Sequence, residues 1–203
     1  EGAVHPAYSL NTFSETEDEG PFRERFWKVQ PGDVVVDAGA SYGAYTLTAL
    51  AAGAELVWAF EPEPSVAVDL RRNLAANGWQ DRCVVLEQAL WDSRTEVDMH
   101  VFAPHWPQQT ITGVYPAGPL DDVCALLPRL DWVKVDTESS EAHVLRGARE
   151  TLTRLKPVVI VECHVFADPT LTDQCRALLQ ECGYGHFEFV ERDPCEMIVA
   201  RKA

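Results

Sequence analysis

Short β-branched runs alternate along the chain with segments whose apolar residues return every three to four positions. The first run, Asp33–Ala38 (DVVVDA), opens at the turn Pro31-Gly32 and reads as a strand. A helix is predicted over Ala44–Ala52, a second strand over Leu56–Glu61, and a helix over Pro64–Asn77 that stops at Asn77-Gly78. Strands follow at Cys83–Gln88 and Asp131–Asp136, then one helix over Glu141–Leu155 with Leu145, Ala148, Leu152 and Leu155 on one side. A strand at Val158–Cys163 leads to a helix that begins at Asp168-Pro169 and ends at Gly183. His186–Val190 and Glu196–Ala200 complete the series as two strands with a short connection. Residues 92–119 break the alternation. Thr95–Val101 reads as an edge strand, and the stretch after it, rich in Pro, Gly and aromatics, reads as a long functional loop carrying His105, Trp106 and Tyr115.

Strands apolar on both faces and separated by helices imply a parallel sheet covered on both sides. The last two strands have no helix between them, and a parallel crossover needs a longer connection, so that pair is expected to be antiparallel. The predicted fold is α/β, a doubly wound, Rossmann-like sheet of seven mostly parallel strands closed by an antiparallel C-terminal hairpin. Residues 1–20, polar and acidic towards their end, read as an arm, and residues 21–203 as one domain.

Composition narrows the function. With 46% apolar residues in a chain of 203, a sizeable core is expected. No apolar run approaches the ~20 residues of a membrane span, and Glu1–Leu10 lacks the pattern of a signal peptide. The net charge of −15, with no basic run longer than two residues, speaks against nucleic-acid partners. Six dispersed cysteines form no CxxC pair, which argues against a zinc knuckle and for buried thiols in a reducing cytoplasm.

The chemistry concentrates at strand ends. Asp37-Ala38-Gly39-Ala40-Ser41-Tyr42-Gly43 joins the first strand to the first helix, and glycines there let a ligand approach the backbone. Asp37 stands where a dinucleotide fingerprint has its first glycine. A carboxylate at that point opposes a pyrophosphate and suits a ligand bearing an ammonium and a sulfonium. Glu61, ending the second strand, can accept both hydroxyls of a ribose, and Gln88, followed by Ala89, can pair with an adenine edge. Asp136 and Glu138 follow the fourth strand, and Glu162 and His164 the fifth, at the end of the sheet where such folds bind ligands. His164, with an ordinary pKa near neutrality, is the natural candidate for a base that activates a hydroxyl. Asp136 is the second candidate, and Glu138 lies beside it. Glu141 reads as a helix N-terminal acid placed for the dipole. Three carboxylates and a histidine can also hold a hard divalent ion, but the spacing is no metal motif, and no metal is expected.

The segments VVVDAGASYGAYTL, AFEPEPSVAVDLRRNLAANG, VKVDTESSEAHVLRGA and PVVIVECH, in that order between about Val29 and His164, resemble FkbM-type methyltransferases. The resemblance implies a class I fold, S-adenosylmethionine as cofactor, and O-methylation of a hydroxyl on a small molecule or sugar. Carried over by position, it places Asp37, Gly39, Gly43 and Glu61 at the cofactor, and it matches Asp136, Glu138 and Glu141 to the family's acidic segment after the fourth strand and Glu162 and His164 to its E-x-H after the fifth. The candidate site is therefore Asp37, Gly39, Ala40, Gly43, Glu61, Gln88 and Ala89 for the cofactor and His164, Asp136 and Glu138 for the reaction. The family usually has glycine after the acid that matches Glu138, whereas this chain has Ser139-Ser140. That departure leaves a non-catalytic S-adenosylmethionine- or S-adenosylhomocysteine-binding domain as the alternative, with a nicotinamide-dependent oxidoreductase behind it.

Overall fold

The computed structural model describes residues 28–102, 110–166, 168–192 and 195–202. The expected arm over residues 1–20, together with His105 and Trp106, lies outside the described residues. Seven strands form the main sheet: β1 (Val34–Ala38), β2 (Leu56–Phe60), β3 (Cys83–Leu86), β7 (Trp132–Val135), β8 (Val158–Cys163), β9 (Tyr184–Arg192) and β10 (Cys195–Lys202). Their order is β3-β2-β1-β7-β8-β10-β9. The first five are parallel, and β10 runs antiparallel to both β8 and β9. This is the doubly wound sheet with a C-terminal hairpin that the pattern predicted. The order reverses between β1 and β7, and the crevice at such a switch point is where ligands of these sheets bind.

Helices α1 (Ala44–Ala51) and α2 (Pro64–Ala76) cover one face. Leu47, Leu50, Leu70 and Leu74 meet Val35, Val57 and Ile160 there. On the opposite face, α3 (Leu120–Cys124), α4 (Glu141–Arg146), α5 (Arg149–Leu155) and α6 (Leu171–Glu181) pack Leu145, Leu152 and Leu179 against Val36, Val133 and Val161. Pro64 opens α2, and the Glu63 carboxylate accepts from the amides of Ser65 at 2.6 Å and Val66 at 3.4 Å, which satisfies donors that a helix start leaves free.

Two expectations change. The single helix over Glu141–Leu155 is broken at Gly147-Ala148 into α4 and α5. A Cβ at Gly147 would clash with the backbone oxygen of Trp91, so the break lets another part of the chain pass close. The expected edge strand over Thr95–Val101 is present as β5 (Thr95–Phe102), but residues 110–118, read as loop, form a further strand, β6 (Thr110–Gly118), and with β4 (Ala89–Leu90) they make a small second sheet in the order β4-β6-β5. Tyr115 thus sits on a strand. Pro116 pairs with Glu96 on one side and lies outside the ladder to β4, which begins at Ala117. Its missing N–H therefore interrupts no second ladder. No helix among the described residues is long and apolar enough to cross a membrane, and all six cysteines are free.

Candidate active site

The loop after β1 is held by the end of β2. The amides of Gly39 and Ala40 both donate to the carbonyl of Phe60, at 3.0 and 2.9 Å, and that of Ser41 donates to Glu61 Oε2 at 2.9 Å. These three donors are spent inside the protein, so they make no nest for a pyrophosphate. Gly39 and Gly43 have φ of 77° and 98°. A Cβ on Gly39 would clash with the backbone oxygen of Asp136, so the loop and the end of β7 touch only because Gly39 has no side chain.

Asp37 is fully buried. Its Oδ2 accepts from the Thr46 amide at 3.1 Å and the Thr46 hydroxyl at 2.6 Å, and its Oδ1 lies 3.5 Å from Lys134 Nζ. Asp37 therefore secures the loop and α1 from beneath, with both oxygens turned to protein groups. Burial raises its pKa against the pull of Lys134 and Thr46. Glu61 is 8% exposed, not the solvated strand-end acid it could have been. Its Oε1 accepts from the Glu63 amide at 2.9 Å, so each oxygen is oriented by one amide and retains a lone pair. Burial, only partly offset by those amides, lifts its pKa to about 7. Tyr115 stands close enough to Glu63 and Glu61 that burial and these two carboxylates hold its phenol above the ordinary range. Ala40 is buried and Ala89 half-buried, and Gln88 borders a cavity of about 360 Å³ with Arg94, Thr95 and Asp122.

The second cluster lies at the ends of β7 and β8. His164 Nδ1 is 2.9 Å from Glu141 Oε1, and its Nε2 lies 3.7 Å from Asp136 Oδ1 and 3.6 Å from Glu138 Oε2. Burial alone would lower the imidazole pKa. The bond to Glu141 and the charges of Glu138, Glu141 and Asp136 outweigh it and carry the pKa to about 9. That shift favours the imidazolium at neutral pH, the form that accepts no proton. Burial foremost raises the pKa of Glu138. Asp136, Glu138 and His164 offer ligand atoms within 4.8 Å of one another. A divalent ion there would have to displace the imidazolium proton, because only a neutral ring ligates.

Sequence reasoning took one further member of the site, Glu141, for a helix N-terminal acid and passed over two others, Lys134 and Phe166. Glu141 is fully buried and accepts from the amides of Thr137 at 3.2 Å and Ser139 at 3.1 Å besides His164. Lys134 lies 3.1 Å from Asp136 Oδ2 as well as 3.5 Å from Asp37. Phe166 stands edge-on to His164 at 5.9 Å and is 66% exposed. A lysine inside an apolar strand and an aromatic two positions after the E-x-H were the available signals. The serine substitution, by contrast, leaves the turn intact. Ser139 has φ 79° and Glu138 φ 51°, so Ser139 adopts the left-handed conformation that glycine favours.

A doubly wound sheet closed by this antiparallel hairpin, with a first-strand loop whose amides are spent inside the protein and so form no pyrophosphate nest, is the architecture of the class I S-adenosylmethionine-dependent methyltransferases. Residues 37–185 match the Methyltransferase FkbM domain, and the chain belongs to that family, whose cofactor is S-adenosylmethionine. No curated protein matches it in sequence. Among solved structures, it is similar to methyltransferase FkbM from Methylobacillus flagellatus KT, with TM-score 0.64, 19% identity, and coverage of 83% of this chain and 43% of that one. The chain thus spans less than half the length of that relative. It is also similar to a precorrin-6y C5,15-methyltransferase from Geobacter metallireducens GS-15, with TM-score 0.59, 20% identity and coverage of 97% and 94%. A third similar structure is a SAM-dependent O-methyltransferase from Thermotoga maritima, with TM-score 0.57, 15% identity and coverage of 93% and 65%.

Proposed function

We propose that the protein methylates a hydroxyl group of a small acceptor. Asp136 is the residue that receives the hydroxyl, and His164 and Glu138 frame it. One observation carries the reading. Asp136 is 28% exposed, with Oδ2 held by Lys134 at 3.1 Å and Oδ1 turned towards His164 at the crevice end of β7. The backbone of the same residue abuts Gly39 in the cofactor loop.

The residues present fit the cofactor. Gly39, Ala40 and Gly43 form a loop whose close packing depends on absent side chains, and Asp37 holds that loop from beneath. Glu61 keeps lone pairs for ribose hydroxyls, and Gln88 with Ala89 borders the adenine end. When bound, S-adenosylmethionine supplies a methyl group made electrophilic by the sulfonium to which it is attached. The protein's part is mainly alignment, holding the acceptor oxygen in line with that carbon. Asp136 accepts the hydroxyl hydrogen bond and would take the proton as the oxygen gains the methyl group and the methyl–sulfur bond breaks to leave S-adenosylhomocysteine, so that no positive charge is left on the oxygen. The imidazolium of His164, fixed by Glu141, orients the carboxylates around it, and exposed Phe166 offers an apolar face to the acceptor.

Labelled donor incubated with matched panels of hydroxylated and amine acceptors tests the reading. Label transferred to hydroxyls supports it. Label transferred only to amines, or no transfer by protein that binds S-adenosylhomocysteine, overturns it.

A further inference from the structure

The strand register makes one residue common to the two halves of the site. Asp37 on β1 is the cross-strand partner of Lys134 on β7. Asp136 comes two residues after Lys134, so strand periodicity returns it to the same face. The Lys134 ammonium consequently meets three oxygens. Asp136 Oδ2 lies at 3.1 Å, Asp37 Oδ1 at 3.5 Å and the backbone carbonyl of Gly39 at 3.5 Å. An ammonium has three donor hydrogens and no acceptor, so this set uses its full capacity. Lys134 is only 8% exposed. Burial works against its charge, and the carboxylates of Asp136 and Asp37 outweigh that and raise its pKa.

We infer that Lys134 is a positioning residue that ties the cofactor loop, through Asp37 and Gly39, to the carboxylate of Asp136. The inference rests on Asp136 receiving the acceptor hydroxyl. Asp37 alone would account for a buried lysine, since a buried carboxylate needs a cation. Asp136 would not, because it is partly open to the crevice and solvent could hold it. Its contact with Lys134 fixes one oxygen and leaves the other facing His164. Glu141 fixes the histidine side of the same group, so Asp136 and His164 are each braced from behind by a buried residue of opposite charge. Gly39 and Asp136 already touch through their backbones, and the ammonium adds the link from the loop to the Asp136 carboxylate itself.

Lys134→Met alone would strand Asp37, and such a variant is expected to unfold. The informative comparison is Asp37→Asn against the neutral pair Asp37→Asn with Lys134→Met. Both are expected to fold and to bind S-adenosylhomocysteine alike. In the pair, kcat should be lower by ~10²-fold, the penalty of a misplaced reacting group, while KM for the donor stays the same. Equal kcat in the two would overturn the inference, since Lys134 would then only neutralise Asp37. A second readout needs no turnover. Nitrogen-15 NMR of the buried Lys134 ammonium should show a signal that shifts on Asp136→Asn and again when S-adenosylhomocysteine is added to the unaltered protein. A signal indifferent to either overturns the coupling. Failure to methylate any hydroxyl, by contrast, overturns the reaction and leaves this signal to decide the role of Lys134.

Discussion

His164 Nδ1 and Glu141 Oε1 stand 2.9 Å apart in the protein interior, and the same carboxylate oxygen accepts from the amides of Thr137 and Ser139. One buried acid thus fixes the histidine and the turn that carries Glu138. This relationship sets the charge state of the site, and the first two predictions follow from it.

His164 should titrate near pH 9 in the native protein. The pKa is raised above the value of about 6.5 expected when unfolded. Its stabilising contribution is therefore complete below about pH 6.5 and disappears as pH rises through about 9. An NMR titration of the imidazole should give that midpoint, and Glu141→Gln should lower it. Turnover should show no rise centred on pH 6.5. A midpoint at 6.5 or below would restore His164 as a resting base.

Removing the carboxylate should cost the fold dearly. Glu141→Ala leaves a buried imidazolium and two amides without their acceptor, and breaking such a pair costs about 3–5 kcal/mol. Glu141→Gln keeps an acceptor and should cost less, about 1–3 kcal/mol. Urea denaturation of the two variants checks both the direction and the order. Losses below about 1 kcal/mol in both would mean the cluster contributes nothing to stability.

Glu61 should make cofactor affinity depend on pH. Its pKa stands near 7 against the 4.5 of an exposed glutamate. The native state therefore binds the proton more tightly, and Glu61 subtracts stability as pH rises from about 4.5 to 7. Ribose hydroxyls donate best to the anion, so S-adenosylhomocysteine should bind more tightly as pH rises through about 7. Calorimetric titrations between pH 5.5 and 8.5 should show the trend in the unaltered protein and not in Glu61→Gln. Glu61→Ala should weaken binding by about 1.5–3 kcal/mol, roughly 10–100-fold. An unchanged dissociation constant in that variant would exclude contact with the cofactor.

Ser139 holds a left-handed conformation that costs an L-residue about 1–2 kcal/mol. Ser139→Gly removes that strain but adds unfolded-state entropy worth about 0.5–1 kcal/mol and loses the hydroxyl bond to the carbonyl of His164. Stability should change by no more than about 1 kcal/mol. Ser139→Val cannot adopt the turn cheaply and should lose about 2 kcal/mol or more. Thermal unfolding of the pair is the test. A valine variant as stable as the glycine one would show that the turn readily rearranges.

The strands were legible because each is apolar on both faces, and the helices because their apolar positions recur at helical spacing. The stop at Gly78 and the lack of a helix between the last two strands were equally local signals. So were the acids and the histidine at strand ends, since a polar residue closing an apolar run must sit at the rim of the sheet. From these the doubly wound fold, the glycine loop after β1 and the approach of Asp136, Glu138 and His164 to one another could be read.

What each polar group does there depends on neighbours far along the chain, and only the tertiary structure supplies them. The β1–β7 register seals Asp37 against Lys134 and so makes it an anchor of the loop, which its place after an apolar run did not reveal. The packing of α4 on β8 buries Glu141 beside His164 and converts a helix-start acid into the group that keeps the imidazole charged. Pairing across 97 positions or 23 is invisible to local pattern, and burial multiplies the strength of each such contact by removing water. Local pattern therefore determined which polar residues stand at the strand ends, and the folded chain decided which of them are paired and sealed and which face the crevice.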